Sequence, residues 1–124
     1  MVDVNGGTPI MYAADYGHGD VVRLLMELGA DINKADNYGQ TPLYYAAANG
    51  HGEMVQMLMN GGADINKANN FGGTPLYLAA ANGHGEVVKV LLSLGADKTK
   101  ADNNGQTPLD VAADEDIKRM LRGE

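Results

Sequence analysis

Apolar and polar positions along this chain of 124 residues follow a pattern that returns at an interval much longer than one helix turn. Leu43 and Ala47 place small and apolar side chains on one face of a short helix, and Val55, Leu58 and Met59 form the apolar stripe of a second. The same order of segments occurs in four stretches of the sequence. Helices this short are unstable alone in water, so the pattern predicts helix pairs that bury their apolar faces by stacking on neighbouring pairs.

The dipeptide Thr-Pro marks the interval, because it occurs four times and each copy lies 33 residues after the last. The copies are Thr8-Pro9, Thr41-Pro42, Thr74-Pro75 and Thr107-Pro108. A threonine oxygen can accept from the free N–H groups at a helix start, and proline suits the first helical position. Each copy therefore predicts the start of a helix, and the fixed period predicts a solenoid of repeated units.

Counting from Asp3, three complete units cover residues 3–35, 36–68 and 69–101, and a shortened unit covers residues 102–124. Units two and three are identical at 21 of 33 positions. The fourth unit lacks four residues between its helices and is more charged, as expected of a terminal unit whose outer face meets solvent. We expect a single domain that spans residues 1–124.

The order of motifs in each unit resembles the ankyrin repeat, in which Thr-Pro-Leu opens the first helix, Gly-His separates the two helices and Gly-Ala-Asp follows the second. The last two motifs recur in register at Gly17-His18, Gly50-His51, Gly83-His84, Gly29-Ala30-Asp31, Gly62-Ala63-Asp64 and Gly95-Ala96-Asp97. The resemblance covers about residues 3–121 and implies an all-α solenoid of helix-turn-helix units joined by β-hairpin-like loops.

One position departs from the family pattern. The histidine that usually follows Thr-Pro-Leu is replaced by Met11, Tyr44, Tyr77 and Asp110 in the four units. The hydrogen bond that this histidine usually makes to the threonine is therefore expected to be altered or lost. Tyr44 and Tyr77 are expected to pack between units.

The resemblance implies that the chain binds a protein through a concave face formed by the hairpin tips and the exposed side of the first helices. All six tyrosines and the single phenylalanine lie in these segments, together with many asparagines. Surfaces rich in tyrosine and asparagine resemble antibody paratopes, in which rigid aromatic rings supply contact area and amides adapt. The expected contact residues are Tyr12, Asp15, Tyr16, Asn37, Tyr38, Gln40, Tyr45, Asn49, Asn70, Phe71, Leu78, Asn82, Asn103 and Asn104.

Composition narrows the class of partner. With 16 acidic and 9 basic residues the formal charge is −7, which disfavours binding to nucleic acid or to anionic lipid. The chain has no cysteine, no signal peptide and no apolar run of membrane length, so no membrane association and a cytoplasmic location are the default expectation. We expect a monomer, with weak self-association as the alternative, either at the N-terminal end, where Met11, Val22 or Met26 would be exposed, or at a methionine-rich back of unit two.

The histidines and the aspartate-rich loops do not have the spacing of a metal site. The three histidines lie one per unit, about 10 Å apart, whereas the ligands of one zinc ion lie about 2 Å from it. They are expected to be turn histidines bonded to nearby backbone. Residues 31–39 have the Asx and Gly composition of a calcium loop, but Asp36 and Pro42 occupy the places of the loop's glycine and bidentate glutamate.

A catalytic site is not favoured either. Asp20, Glu53 and Glu86 repeat at helix starts, where the helix dipole accounts for them, and Ser93 is the only serine. No nucleophile with a base in reach can be assembled. We expect no enzymatic activity and no cofactor.

The near-identity of units two and three favours an engineered or consensus-derived ankyrin scaffold. Against selection for one target, Ala48-Asn49 and Ala81-Asn82 are identical in two units that would meet different parts of that target. The competing hypothesis is a fragment of a natural ankyrin regulatory protein that docks a specific partner.

Overall fold

The computed structural model describes residues 2–124, and within them the chain is all-helical, with eight helices and no strand. The helices form four consecutive pairs, one per unit, which confirms the all-α fold class. Their bounds are α1 (Pro9–Tyr16), α2 (Gly19–Glu27), α3 (Pro42–Ala48), α4 (Gly52–Asn60), α5 (Pro75–Ala81), α6 (Gly85–Ser93), α7 (Pro108–Val111) and α8 (Glu115–Arg122).

Each first helix begins where the Thr-Pro pair predicts it. In unit two, Pro42 is the first helical residue and the Thr41 hydroxyl accepts a hydrogen bond from the backbone N–H of Tyr44 at 3.3 Å. The threonines of the other three units cap their helices in the same way. Gly62, which follows the second helix, has φ 97° and so provides the predicted left-handed residue after that helix.

The first helices stack in one row, α1 on α3 on α5 on α7, and α4, α6 and α8 stack behind them. Leu43, Ala47, Val55 and Leu58 of unit two are almost completely buried, and their equivalents in the other units continue the same core. Burying a leucine fully contributes about 2 kcal/mol. No single pair encloses such a core, so stacking is what makes each unit stable.

The position of the missing family histidine differs between the end units and the inner units. The Met11 sulfur accepts from the Thr8 N–H at 3.4 Å, and the Asp110 carboxylate accepts from the Thr107 N–H at 2.9 Å. The tyrosines at this position in units two and three reach the next unit instead. The expected change in the bond to the threonine is therefore confirmed.

The outer face of unit one differs from the sequence prediction. Met11 and Val22 were expected there and are buried, with 3% and 0% of their surfaces exposed, while Met26 is half-buried. The prediction was wrong for the first two. Val22 belongs to the core shared with unit two, and Met11 is covered between units one and two, beside Tyr12 and Tyr45. The exposed apolar residues at this end are Val2, Val4, Val21, Leu24 and Leu28.

The back of unit two shows no exposed methionine. Met54 is buried, and Met57 and Met59 are half-buried against the core. A depression of about 420 Å³ lies on this side between the starts of α2 and α4, and charged residues such as Asp20 and Arg23 line it. The back of unit two therefore shows less apolar surface than the N-terminal end, and self-association at either place stays a prediction.

None of the helices in the described part of the chain is both long and apolar enough to cross a lipid bilayer.

Candidate protein interface

The hairpin tips are rigid because a side-chain oxygen of the first residue of each unit accepts hydrogen bonds from backbone N–H groups of the tip. In unit two one carboxylate oxygen of Asp36 accepts from the N–H groups of Tyr38 and Gln40 at 2.9 and 3.0 Å. Asn69 does the same for Phe71 and Gly73 at 3.2 and 3.0 Å. Such Asx turns fix the local backbone, so the aromatic residue two positions later is presented to solvent in a defined place.

Neighbouring tips are joined by an asparagine. The Asn70 N–H donates to the Tyr38 carbonyl at 2.9 Å, while its side-chain amide donates to the Asn37 carbonyl at 2.8 Å. Asn37 and Asn103 make the equivalent pair of bonds to their preceding units. These three predicted contact residues are exposed, but one amide hydrogen of each is committed to the stack.

A second series of bonds joins the ends of the first helices. The Asn49 amide donates to the carbonyl and to the carboxylate of Asp15, and the Asn82 amide donates to the Ala48 carbonyl at 2.9 Å. His51 Nε2 lies 3.1 Å from the Asp15 carbonyl oxygen, which accepts from it. Asn49 and Asn82 therefore also hold adjacent units together, in addition to lying exposed on the surface.

Two of the three histidines, His51 and His84, are bonded to backbone as predicted, and the backbone belongs to the preceding unit. His84 Nε2 lies 2.9 Å from the Ala48 carbonyl oxygen, the same arrangement as in His51. His18 has no preceding unit among residues 2–124, and its ring makes no hydrogen bond there. The ring stacks on Tyr16 instead, with centroids 6.3 Å apart. In that part of the chain no three His, Asp or Glu side chains are placed to share a metal ion.

Tyr44 and Tyr77 are buried between units, which confirms the prediction. The Tyr44 hydroxyl accepts from the Asn69 amide at 3.0 Å, and the Tyr77 hydroxyl donates to the Asp102 carboxylate at 2.7 Å. Burial is the main cause that raises the pKa of Tyr44 above its ordinary value. Both phenols therefore serve the stack and offer nothing to a partner.

The four most exposed aromatic side chains all belong to the predicted contact set. The exposed fractions are 68% for Tyr16, 53% for Tyr38, 50% for Phe71 and 49% for Tyr12. Asn104 is exposed as well, and its side chain makes no hydrogen bond within residues 2–124. Large exposed rings on rigid tips are typical anchors of protein interfaces.

The remaining predicted residues are half-buried, namely Asp15, Gln40, Tyr45 and Leu78. Tyr45 differs most from the expectation, because its hydroxyl donates to Asp36 and its ring meets the edge of Tyr44 at 5.8 Å between centroids. Burial, followed by the hydrogen bond to Asp36, raises the pKa of Tyr45 above its ordinary value. Tyr45 therefore supports the hairpin tip of its own unit.

The structure brings these segments together as one continuous surface, which we call the tip face and define as residues 3–16, 36–49, 69–82 and 102–111. A pocket of about 110 Å³ lies on it between units one and two. We call this pocket the Tyr-Asp groove, and its side walls are formed by Asp3, Asp15, Asp36, Tyr12, Tyr38 and Tyr45. Asp3 and Asp36 were not among the predicted contact residues, although the recurrence of Asp at the first position of three units was visible in the sequence.

Comparison with known proteins agrees with this architecture. A family model described as "Ankyrin repeats (3 copies)" matches residues 1–69 and 58–122. An ankyrin repeat-containing protein of Schizosaccharomyces pombe is 53% identical over 34 residues, which is 27% of this chain and 16% of that protein. The match to this relative is thus about one unit long and covers a small part of its length.

Proposed function

Because the chain belongs to the ankyrin repeat family, whose repeats are generally non-catalytic modules for protein–protein interaction, we propose that residues 1–124 form one domain that binds a protein partner through the tip face. The observation that carries this proposal is the concentration of exposed aromatic side chains on rigid tips and first helices. Tyr38 and Phe71 lie at equivalent tips of adjacent units and are both about half exposed.

The predicted contact residues divide into two groups under this proposal. Tyr12, Tyr16, Tyr38, Phe71 and Asn104 have exposed groups that the stack does not use, so they supply most of the binding energy. The asparagines that join the units, together with the half-buried residues, shape the surface and add polar contacts at its rim.

Two origins agree with this function. The identity of units two and three at 21 of 33 positions supports an engineered or consensus-derived scaffold. The 34-residue similarity to a yeast protein supports the second candidate, a fragment of a natural ankyrin regulatory protein that docks a specific partner.

Affinity capture from lysate tests the proposed surface when it is performed with two matched variants. The first carries Tyr38→Ala and Phe71→Ala on the tip face, and the second carries Gln56→Ala and Lys89→Ala, which are exposed on α4 and α6. We expect proteins that the unchanged chain and the second variant retain and that the first variant loses. Proteins retained equally by all three chains, or lost equally by both variants, would contradict the proposal.

A further inference from the structure

Charge is distributed unevenly between the tip face and the rest of the chain. The tip face contains five aspartates and no lysine or arginine, whereas the other segments contain eleven acidic and nine basic residues. Most of the net charge of −7 therefore lies on the proposed binding surface. The five residues are Asp3, Asp15, Asp36, Asp102 and Asp110.

Three of these aspartates, Asp3, Asp15 and Asp36, line the Tyr-Asp groove. None of them forms an ion pair within residues 2–124, where all four ion pairs lie elsewhere. Asp3 and Asp36 accept hydrogen bonds from backbone N–H groups and from a tyrosine hydroxyl, and these donors are neutral, so they do not cancel the carboxylate charge. The second carboxylate oxygen of Asp15 accepts no hydrogen bond from the described residues.

The walls of the groove strengthen the attraction for a cation. Tyr12, Tyr38 and Tyr45 surround the carboxylates, and apolar walls of this kind focus the field of nearby charges. The face of a tyrosine ring also attracts a lysine ammonium or an arginine guanidinium directly. Ring and carboxylate therefore favour the same kind of group, an organic cation on an alkyl stem.

The size of the groove selects a single side chain. At about 110 Å³ the groove can receive the charged head of one side chain, and it is too small for a folded element of a partner. A metal ion fits less well, because calcium needs about six to eight oxygen ligands. Here both carboxylate oxygens of Asp3 and of Asp36, and one of the two oxygens of Asp15, already accept hydrogen bonds.

We propose that the Tyr-Asp groove receives a lysine or arginine side chain from a basic segment of the protein partner. This inference depends on the proposed function, because it specifies the chemistry of what the tip face binds. It goes beyond that function by predicting that binding is weakened by salt and that the unit one–unit two junction contributes more to it than the later junctions.

A labelled octapeptide of alternating serine and arginine, and the same peptide with citrulline in place of arginine, form the probe pair. Citrulline keeps the shape of the side chain and removes the charge. Fluorescence anisotropy at low salt is expected to show binding of the arginine peptide, weakened at least about tenfold by citrulline and weakened further by salt at about 200 mM. Equal binding of both peptides, or no binding of the arginine peptide at low salt, would overturn the inference.

Two protein variants of equal net charge locate the site. Asp15→Asn removes one negative charge from the groove and keeps an oxygen that can accept from Asn49. Glu53→Gln removes one negative charge from the exposed surface of α4, on the back. We expect Asp15→Asn to weaken arginine-peptide binding about threefold to fivefold and Glu53→Gln to change it by less than about twofold, because an exposed ion pair acts only over short range. Equal effects of the two variants would mean non-specific attraction and would overturn the assignment to the groove.

The same variants separate this inference from the proposed function. A captured protein that the Tyr38→Ala, Phe71→Ala variant loses, but that Asp15→Asn and salt leave bound, would preserve tip-face binding and overturn the basic-segment proposal. The chain's own α8 carries Arg119 and Arg122, so a second copy is another source of arginine. A dimer at low salt in sedimentation velocity that disappears on Arg119→Gln and Arg122→Gln would assign the groove to a second copy and overturn the partner proposal.

Discussion

Tyr77 donates its hydroxyl to the carboxylate of Asp102 at 2.7 Å, across the boundary between units three and four. The hydrogen bond to Asp102, followed by burial, raises the pKa of Tyr77 to about 12. The backbone N–H of Gln106, followed by the Tyr77 hydroxyl, holds the pKa of Asp102 below its ordinary value. A protonated phenol and an ionised carboxylate thus couple the two units over a wide range of pH.

Replacement of Tyr77 by phenylalanine removes this bond and little else. We expect Tyr77→Phe to lower the free energy of unfolding by about 2 kcal/mol, because a hydrogen bond to a charged, buried acceptor is lost. Tyr38→Phe is the control, since the Tyr38 hydroxyl is exposed, and it is expected to cost less than about 0.5 kcal/mol. Urea unfolding followed by circular dichroism measures both; similar values for the two variants would contradict the role given to Tyr77.

The shifted pKa values predict how stability depends on pH. The contribution of Asp102 is present above its ordinary pKa of about 3.9 and is lost as the pH falls through its lower folded-state pKa. The contribution of Tyr77 is present below its ordinary pKa of about 10 and is lost as the pH rises toward the folded-state pKa of about 12.

Thermal unfolding between about pH 9 and pH 12 checks the alkaline side. The free energy of unfolding should fall above about pH 10, and its slope against pH should be smaller by about one proton in Tyr77→Phe, because one tyrosine with a raised pKa is removed. Some slope should remain, because Tyr44 and Tyr45 also have raised pKa values. An alkaline slope that is the same with and without the Tyr77 hydroxyl would contradict the assignment.

The histidines provide a test of coupling between units with a control inside the same chain. His84 donates to the Ala48 carbonyl of the preceding unit, whereas His18 occupies the equivalent position with no such acceptor. We expect His84→Ala to cost about 1–2 kcal/mol and His18→Ala less than about 0.5 kcal/mol. Equal losses would mean that the ring acts within its own unit and not between units.

Gly72 and Gly105 separate the cost of backbone strain from the cost of stacking. Both have positive φ, 89° and 81°, so alanine is strained at either position. A Cβ on Gly72 would lie 2.9 Å from the backbone of Asn103 in the next unit, whereas a Cβ on Gly105 meets nothing within 4 Å. We expect about 1–2 kcal/mol for Gly105→Ala and more than about 3 kcal/mol for Gly72→Ala, measured by denaturant unfolding. A smaller loss at Gly72 would show that the tips do not pack closely.

Helix starts and the buried tyrosines were predictable because each depends on local chemistry or on the repeat. A Thr-Pro pair starts a helix wherever it occurs, and a position that is identical in register carries the same role in each unit. Tyr44 and Tyr77 were placed between units on that ground, and the structure confirms it.

The use of the polar tip residues was not predictable in the same way. Asn37, Asn70 and Asn103 were interpreted as contact residues, but each joins its unit to the preceding one. The sequence did contain a sign of this role. Asparagine is the second residue of each unit that follows another unit, whereas the first unit has Val4 at that position.

Tyr45 and the outer face of unit one illustrate a second limit. The Tyr45 hydroxyl bonds Asp36, which lies nine residues earlier in the hairpin tip. This bond depends on the conformation of the tip, which the spacing of the two residues in the sequence does not encode. The rotation of α2 that buries Val22 and exposes Leu24 is likewise set by packing on unit two.

Amide hydrogen exchange on a complex with a captured protein shows which surface of the stacked units the protein covers. Binding through the tip face predicts slower exchange at residues 36–49 and 69–82, with α4 and α6 unchanged. Protection confined to α4 and α6, with the tips and first helices exchanging as in the free chain, would contradict it.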